Sequence, residues 1–189
     1  QSARCFLYRG KPTVLITAAE HYGAVMNREF DYVPYLDVLA RNHLNLSRIF
    51  CFYRELEDSI PPLGYANTLA PRPGHEVLPW QRTGPGQAAD GGLKFDLNKW
   101  NPEYFTRMTD FLRQAERRNI VVEVVLFCNP YNDRTWSWFP CHRGNNINQV
   151  GGGISDPKQF MEQHDPTIVD FQKSFVRKMV RELNAFDNI

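Results

Sequence analysis

The feature that most constrains the fold is a helix followed almost directly by a strand, between Asn101 and Asn129. Asn101 can cap the helix, and Pro102 fits its first turn, where no backbone N–H is needed. Apolar side chains recur there at steps of three and four residues, which predicts one buried face: Phe105, Met108, Phe111, Leu112 and Ala115. Residues Ile120 to Cys128 are almost all Val, Leu, Ile or Phe. Because such a run is typical of a strand covered on both faces in a parallel sheet, the segment predicts a βα repeat.

The residues on either side predict more of the same repeat. Those before it indicate a hairpin, a core strand, a helix and a second strand, and those after it indicate one more helix. Gly10 and Pro12 mark the turn of the hairpin. The predicted segments are the hairpin Cys5–Tyr8 with Thr13–Thr17, the core strand Val14–Thr17 within it, the helix Asp31–Arg41, the strand Leu46–Tyr53, and a helix capped by Asp165.

The connections in this pattern are very unequal in length. Links from helix to strand take only a few residues, whereas Arg54–Asn98 and Asn129–His164 form long stretches without sustained periodicity. In a parallel βα array, loops that follow strands emerge at the C-terminal ends of the strands, which is the active face of (β/α)8 barrels. The long, aromatic-rich and amide-rich loops are therefore expected on one functional face.

The predicted fold class is α/β, and specifically a partial (β/α)8 TIM barrel. About three βα units follow the N-terminal hairpin, and residues 1–189 are expected to form a single partial-barrel domain. A full barrel needs eight strands and roughly 250 residues, so this half-barrel cannot close by itself. A doubly wound open sheet is the alternative, although no G-x-G-x-x-G motif follows any strand to indicate nucleotide binding.

Charge and composition exclude several partners. The net charge of +1 gives no indication of nucleic acid as a partner, and no apolar run approaches the length of a membrane span. None of the four cysteines forms a C-x-x-C pair, and His142 beside Cys141 has no metal-site spacing. We therefore expect no metal or other cofactor, and the sequence does not indicate a compartment.

Several segments resemble the clan A glycoside hydrolases, the cellulase- and glycosidase-like (β/α)8 enzymes. They are Lys99–Phe127, Tyr35–Phe50, Asn145–Gly152, and the opening Phe-x-Tyr-x-Gly-Lys-Pro at residues 6–12. The resemblance covers nearly the whole chain but only the first half of the family barrel. It implies retaining hydrolysis of a carbohydrate by two glutamates about 5 Å apart.

Neither of these family glutamates can be assigned here. In the family, the acid/base glutamate ends the fourth strand in an Asn-Glu-Pro motif, and the nucleophile ends the seventh strand. The chain contains no Asn-Glu-Pro and stops where the fourth strand is expected. The resemblance therefore implies the N-terminal portion of a glycoside hydrolase-like barrel that is inactive alone, with no catalytic residue in this chain.

Six residues are candidates for binding carbohydrate. Arg48 matches an arginine that many clan members place beneath the nucleophile, and a structural ion pair with Glu123 is the equal alternative. Aromatic rings cover the apolar faces of sugars while polar groups bind the hydroxyls, and packing within their own loops is the alternative for these rings. The candidates are His21, Arg48, Trp80, Asn129, Trp136 and Trp138.

Other polar groups receive different predictions. Glu20 lies beside His21 at the same strand end. The carboxylates Glu55, Glu57 and Asp58 indicate a solvated loop more than an acid/base pair. The amides of Asn145, Asn146 and Asn148 are expected to form hydrogen bonds within turns rather than contacts to a ligand.

A second hypothesis is a self-associating half-barrel that binds sugar or has only a structural role. Apolar strands at both ends of an open sheet invite pairing with another chain. The sequence therefore predicts a homo-oligomer, most simply a dimer with isologous contacts.

Overall fold

The computed structural model describes residues 5–17, 23–53 and 70–189. It has a mixed α/β fold with small sheets, and the described residues form no closed barrel. In chain order the elements are β1 (Phe6–Tyr8), β2 (Lys11–Thr13), α1 (Tyr32–Arg41), β3 (Leu46–Phe50), β4 (Trp80–Gln87), β5 (Leu93–Trp100), α2 (Pro102–Glu116), β6 (Val121–Val125), α3 (Asp133–Ser137), a 3-10 helix (Pro157–Met161) and α4 (Pro166–Leu183).

The predicted parallel pairing is confirmed for β3 and β6. Their register runs from Leu46 opposite Val121 to Phe50 opposite Val125. Both strands are shorter than predicted, and the expected covering on both faces is wrong for the described part of the chain. Val122 is fully buried, whereas Glu123 between its apolar neighbours is exposed. The helices cover one face of this sheet, and the Glu123 side remains open to solvent.

The predicted core strand Val14–Thr17 joins no strand ladder among the described residues. The carbonyl of Ile16 accepts hydrogen bonds from the N–H groups of Asn45 and Leu46 at 3.0 and 3.2 Å. The side-chain amide of Asn45 bonds the backbone of Val14 and Ile16. The segment thus lies beside the start of β3, but Val14 and Ile16 are 65% and 51% exposed and are not part of the core.

The stretch Arg54–Asn98, predicted to be irregular, contains a β-hairpin. Strands β4 and β5 pair antiparallel from Trp80 opposite Trp100 to Gln87 opposite Leu93, with irregular register between Arg82 and Gln87. The sequence Gly84-Pro85-Gly86 concealed β4, because glycine and proline normally indicate turns. The first hairpin is confirmed, but its second strand is Lys11–Thr13 and not the predicted Thr13–Thr17, because Lys11 and Pro12 pair with β1.

All three predicted helices are confirmed, as are the predicted caps Asn101 and Asp165. Asp31, predicted as the first residue of its helix, is instead the cap of α1, and all three side chains accept hydrogen bonds from the first turns of their helices. Burial opposes ionisation of Asp165, but hydrogen bonds from the Thr167 side chain and from backbone N–H groups including that of Gly153 outweigh it. The pKa of Asp165 is therefore lowered, and the cap is charged at neutral pH.

The core is centred on Phe52, just beyond the end of β3. Its ring is 1% exposed. Six other rings have centroids within 5.3 to 6.5 Å of it: Trp80, Phe127, Phe139, Phe160, Phe171 and Phe175. These rings come from the hairpin, the long loop after β6 and helix α4. Phe52 therefore joins both long loops to the parallel sheet.

A second, polar contact holds residues 24–30 against α2. The guanidinium of Arg107 donates hydrogen bonds to the carbonyls of Ala24, Val25, Asn27 and Phe30 at 2.6 to 3.1 Å. Burial lowers the pKa of Arg107 from its usual value. Because an arginine stays charged in proteins, the four carbonyls face a fixed cation that organises this segment.

We expect Arg107→Met to lower the free energy of unfolding by about 2 to 4 kcal/mol, because four carbonyls lose a charged donor. Chemical denaturation measures the change. The matched control is Arg113→Met on the exposed side of α2, which should change stability by less than about 0.5 kcal/mol. Equal effects of the two substitutions would contradict the role given to Arg107.

Candidate functional site

The parallel strands β3 and β6 end side by side, and their last residues form the candidate site. The N–H of Cys51 bonds the carbonyl of Val125 at 3.2 Å, so both chains leave the sheet at the same level. Beyond this point the rings of Tyr53 and Tyr131 meet edge to face with centroids 5.9 Å apart. Tyr53 is buried and supports Tyr131, which is 73% exposed. An aromatic ring is thus held out to solvent at the strand ends.

Asn129 lies two residues before this exposed ring and is partly buried. Its side-chain oxygen is buried, and no described residue donates a hydrogen bond to it. The neighbouring thiol of Cys128 lies 3.8 Å from the hydroxyl of Tyr131. The strand end therefore presents an exposed aromatic ring with a phenol hydroxyl, which are groups that recognise sugar C–H faces and sugar hydroxyls, whereas the side-chain oxygen of Asn129 is buried.

Arg48 forms the ion pair with Glu123 that was one of its two predicted roles. The two residues lie opposite each other in the register of β3 and β6, and Nε of Arg48 is 2.8 Å from Oε2 of Glu123. Their side chains are 36% and 46% exposed on the open face of the sheet. The alternative role of Arg48, orienting a catalytic carboxylate, stays a prediction.

The three tryptophans occupy different environments. Trp80 is 1% exposed, and Phe171 and Phe175 pack against it with centroids 4.9 and 5.2 Å away. Trp136 is 6% exposed and contacts Phe139, Phe160 and His142. Trp138 is half-buried. In this packing neither Trp80 nor Trp136 offers an open ring face, so their contact with sugar remains a sequence-based prediction without geometric support.

Several candidates lie outside the described residues. They are His21 and its neighbour Glu20, together with Glu55, Glu57 and Asp58. Of the six predicted sugar-binding residues, Arg48 and Asn129 belong to the paired strands and their ends.

The exposed ring of Tyr131 was missed by the sequence analysis. Its signal was available, because an aromatic residue directly follows Asn129-Pro130 at the end of an apolar strand.

Asn145 and Asn146 of the second long loop form local turn hydrogen bonds, as predicted, whereas Asn148 and one bond of Asn145 reach the β4–β5 hairpin. Asn145 and Asn146 are 2% and 3% exposed. The side chain of Asn145 bonds Ala89, Ser137 and Phe139, and that of Asn146 bonds backbone groups between Pro140 and Val150. Asn148 bonds β5 through Leu97 and Asp96. These amides fix the loop onto the hairpin and are not available to a ligand.

A polar cleft of about 570 Å³ lies between β4, β5 and the start of α2. Arg82 lies in it between Glu76 and Asp90, and its guanidinium stacks 4.0 Å above the ring of Phe95. Arg28 on the rim pairs with Glu103, and the hydrogen bond from Arg28 lowers the pKa of Glu103. The charged side chains of the cleft thus form ion pairs with one another. We therefore regard the strand ends as the stronger candidate for binding a ligand.

Among the described residues, no three His, Cys, Asp or Glu side chains lie together as metal ligands. In the same part of the chain, no helix combines the length and the hydropathy needed to cross a bilayer.

The chain belongs to the family described as Domain of unknown function (DUF6298), whose model matches residues 70–187. No curated protein matches the chain. Among solved structures it is similar to one described as a "putative glycoside hydrolase" from Bacteroides vulgatus ATCC 8482, with 12% sequence identity and a TM-score of 0.50. That match covers 97% of this chain and 35% of the other. The chain therefore shares a fold with about a third of that protein.

We expect the Arg48–Glu123 pair to contribute about 0.2 to 1 kcal/mol to the free energy of unfolding, because solvent screens both groups. A double-mutant cycle with Arg48→Met and Glu123→Gln measures this coupling, and added salt should reduce it. The Arg9–Glu116 pair, with similar exposure, is the control. A coupling of several kcal/mol that resists salt would contradict the open environment of Arg48.

Proposed function

We propose that this chain is the N-terminal portion of a glycoside hydrolase-like (β/α)8 barrel that binds carbohydrate at the C-terminal ends of its strands. The observation that carries the proposal is the in-register parallel pair β3–β6, with the exposed ring of Tyr131 at its end. The similarity of this chain to about a third of a solved structure described as a "putative glycoside hydrolase" supports the glycoside hydrolase part of the proposal. The half-barrel and its clan A membership are part of the proposal.

Backbone contacts support the arc of the proposed barrel. Segment 14–17 lies beside the start of β3, β3 pairs with β6 in parallel, and helices α1 and α2 connect them along the chain. The order of these segments is that of the first strands in a βα barrel. The loops after β3 and β6 leave at the same end, which is where enzymes of this fold bind their substrates.

The chemistry at this end fits a sugar better than a charged ligand. Tyr131 presents an apolar ring face and a hydroxyl to solvent, and the buried side-chain oxygen of Asn129 would accept a hydrogen bond only after the strand end opens. In this proposal, the catalytic glutamates of the resembled enzymes belong to strands outside residues 1–189. We therefore propose binding without hydrolysis for the isolated chain.

If the proposal is right, Tyr131→Ala weakens binding of soluble polysaccharides such as xylan, glucan or mannan fragments at least about tenfold. A tenfold loss corresponds to about 1.4 kcal/mol, which is within the range of a truncated aromatic contact. Affinity electrophoresis followed by calorimetry on the retained sugar measures the change.

Two controls separate ring stacking from unfolding. Tyr131→Phe keeps the ring and should retain most of the affinity, and Phe6→Ala removes an equally exposed ring on β1 and should change nothing. Absence of binding to every polysaccharide would refute the carbohydrate site. Turnover of aryl glycosides that disappears in Glu55→Gln or Glu57→Gln would refute the missing catalytic pair.

A second candidate function is self-association. The observation in its favour is the exposed apolar edge at segment 14–17, where Val14 and Ile16 project into solvent. Two copies of this edge could pair by isologous contacts, which bury the same surface on each copy. The resulting dimer would present two strand-end faces and would need no catalysis.

Light scattering at micromolar concentration should then give twice the mass calculated for one chain. Ile16→Lys places a charge on the proposed contact and should return the protein to a monomer, as inward-pointing or edge charges do in natural sheets. Val38→Lys, a similarly exposed valine on α1, should remain dimeric. A monomeric mass for the unmodified chain would exclude this candidate.

A further inference from the structure

A turn that begins at His142 joins the second long loop to β5. The N–H of Phe95 on β5 bonds the carbonyl of Asn145 at 2.8 Å, and the carbonyl of Phe95 accepts the N–H of Ile147 at 3.0 Å. Within the turn, the carbonyl of His142 accepts hydrogen bonds from the backbone of Asn145 and from the side chain of Asn146. This contact between the loop and β5 therefore depends on the position of His142.

The imidazole ring of His142 also takes part in the turn. Its Nδ1 accepts a hydrogen bond from the N–H of Gly144 at 3.1 Å, so the ring is neutral and carries its proton on Nε2. Glycine permits this approach, because a Cβ at position 144 would lie 3.2 Å from Nδ1. Trp136 of α3 packs edge to face on the ring, with centroids 5.5 Å apart, and the ring is half-buried. This arrangement requires a neutral imidazole.

The groups around His142 do not favour a second proton on its ring. Helix α3 faces it with the neutral ring of Trp136. Arg143 next to it is exposed, and Cys141 is a fully buried thiol whose pKa is raised by burial, so it stays neutral. Burial, and then the positive charge of Arg143, lowers the pKa of His142. Among the described residues, no carboxylate contributes to that pKa.

We propose that the turn is a pH switch, in which protonation of His142 separates the loop from β5 and weakens ligand binding at Tyr131. In the protonated ring Nδ1 is a donor that faces the N–H of Gly144, so the hydrogen bond between them is lost. The bonds of the turn to Phe95 are then no longer held in place. The binding part of the proposal rests on the proposed function, whereas the opening of the turn does not.

A series of ring contacts connects the turn with Tyr131. Trp136 packs against both His142 and Phe139, with centroids 5.5 Å away in each case. Phe139 contacts Tyr53 with centroids 5.9 Å apart, and Tyr53 contacts Tyr131 at the same distance. Opening of the turn therefore disturbs the packing that positions the exposed ring.

The direction of the pH effect follows from the lowered pKa of His142. As the pH falls below about 6.5, the histidine of the opened chain takes up a proton before that of the closed turn does. The closed turn therefore has its full stability above that pH and loses stability as the pH falls toward the lowered pKa. Carboxylates titrate mainly at about pH 4, so a comparison of pH 7 with pH 5 separates the histidine step from theirs.

Amide hydrogen exchange of Phe95 and Ile147 measures the opening, because these two N–H groups form the bonds between β5 and the loop. After correction for the intrinsic rate at each pH, we expect the protection of both amides to fall at least about threefold from pH 7 to pH 5. Equal protection at the two pH values would overturn the proposal.

Two substitutions assign the response to one histidine. In His142→Asn the side-chain oxygen can still accept the N–H of Gly144 but takes up no proton in this range, so protection should be equal at the two pH values. His164→Gln removes an exposed histidine and should keep the response of the unmodified chain. A fall in protection that persists in His142→Asn would overturn the proposal.

A further measurement needs no variant. Nitrogen NMR of the His142 ring should show the Nε2–H tautomer at pH 7 and a titration midpoint below about 6.5. The Nδ1–H tautomer, or a midpoint above that value, would also overturn the proposal.

The effect on binding is measured separately, with the neutral glucan or mannan fragments used for Tyr131. Affinity should fall at least about threefold from pH 7 to pH 5 in the unmodified chain and stay constant in His142→Asn. An equal loss in both proteins would overturn the link between the turn and the site. Failure to bind any polysaccharide at pH 7 would remove the proposed function together with this link, while exchange of Phe95 and Ile147 would still decide whether the turn opens.

Discussion

The packing of aromatic rings around Phe52 is the interaction on which the rest of the structure depends. Two strands in parallel register make too small a sheet to be stable alone, so the sheet needs cover at its end as well as along its side. Phe52 provides the anchor, because rings from the β4–β5 hairpin, the loop after β6 and helix α4 all contact it. The long loops are therefore part of the core, and the positions of Tyr53 and Tyr131 follow from this packing. Polar groups complete the arrangement: Arg107 gathers the carbonyls of residues 24–30, and Asn145 and Asn146 hold the second long loop on β5.

Because most aromatic rings of the long loops are buried around Phe52, few of them remain exposed at the strand ends. Of the tryptophans predicted to bind sugar, Trp80 and Trp136 are buried in the core. The charged groups of the polar cleft form ion pairs with one another. Tyr131 differs because its ring, although it contacts Tyr53, remains 73% exposed. The contrast shows how a loop rich in aromatic residues can be mainly structural and still leave one ring for recognition. The function proposed for this face therefore depends on which ring stays exposed after the others are buried in the core.

The sequence was a good guide wherever one residue pattern decided the outcome. Helix periodicity and the caps Asn101 and Asp165 depend on local spacing, and the parallel pairing of β3 and β6 depends on short apolar runs. It failed for β4, since Gly84-Pro85-Gly86 has the local chemistry of a turn and only pairing with β5 makes it a strand. It also failed for Val14–Thr17, whose apolar pattern is typical of a buried strand, whereas the described residues leave Val14 and Ile16 exposed.

For the candidate site, the sequence identified the pairing of Arg48 with Glu123 and placed Asn129 at a strand end. The solvent exposure of a ring is a tertiary property. The sequence therefore could not distinguish the exposed Tyr131 from the buried Trp80.

The ion pair of Arg48 with Glu123 acquires a different meaning if more strands complete the wall around it. On the present open face, water shares in stabilising both charges. Inside a closed ring of strands the same two groups would be dehydrated, and their mutual attraction would have to replace the lost hydration. Removal of one of them would then leave the other charge without a partner in a medium of low polarity. The resulting loss of stability is far larger than the loss on breaking a hydrated pair. The pair would thus have little effect on stability while its face is open to water. Once the face is enclosed, substitution of either residue would destabilise the protein strongly, so dependence of stability on this pair would report that the face is closed.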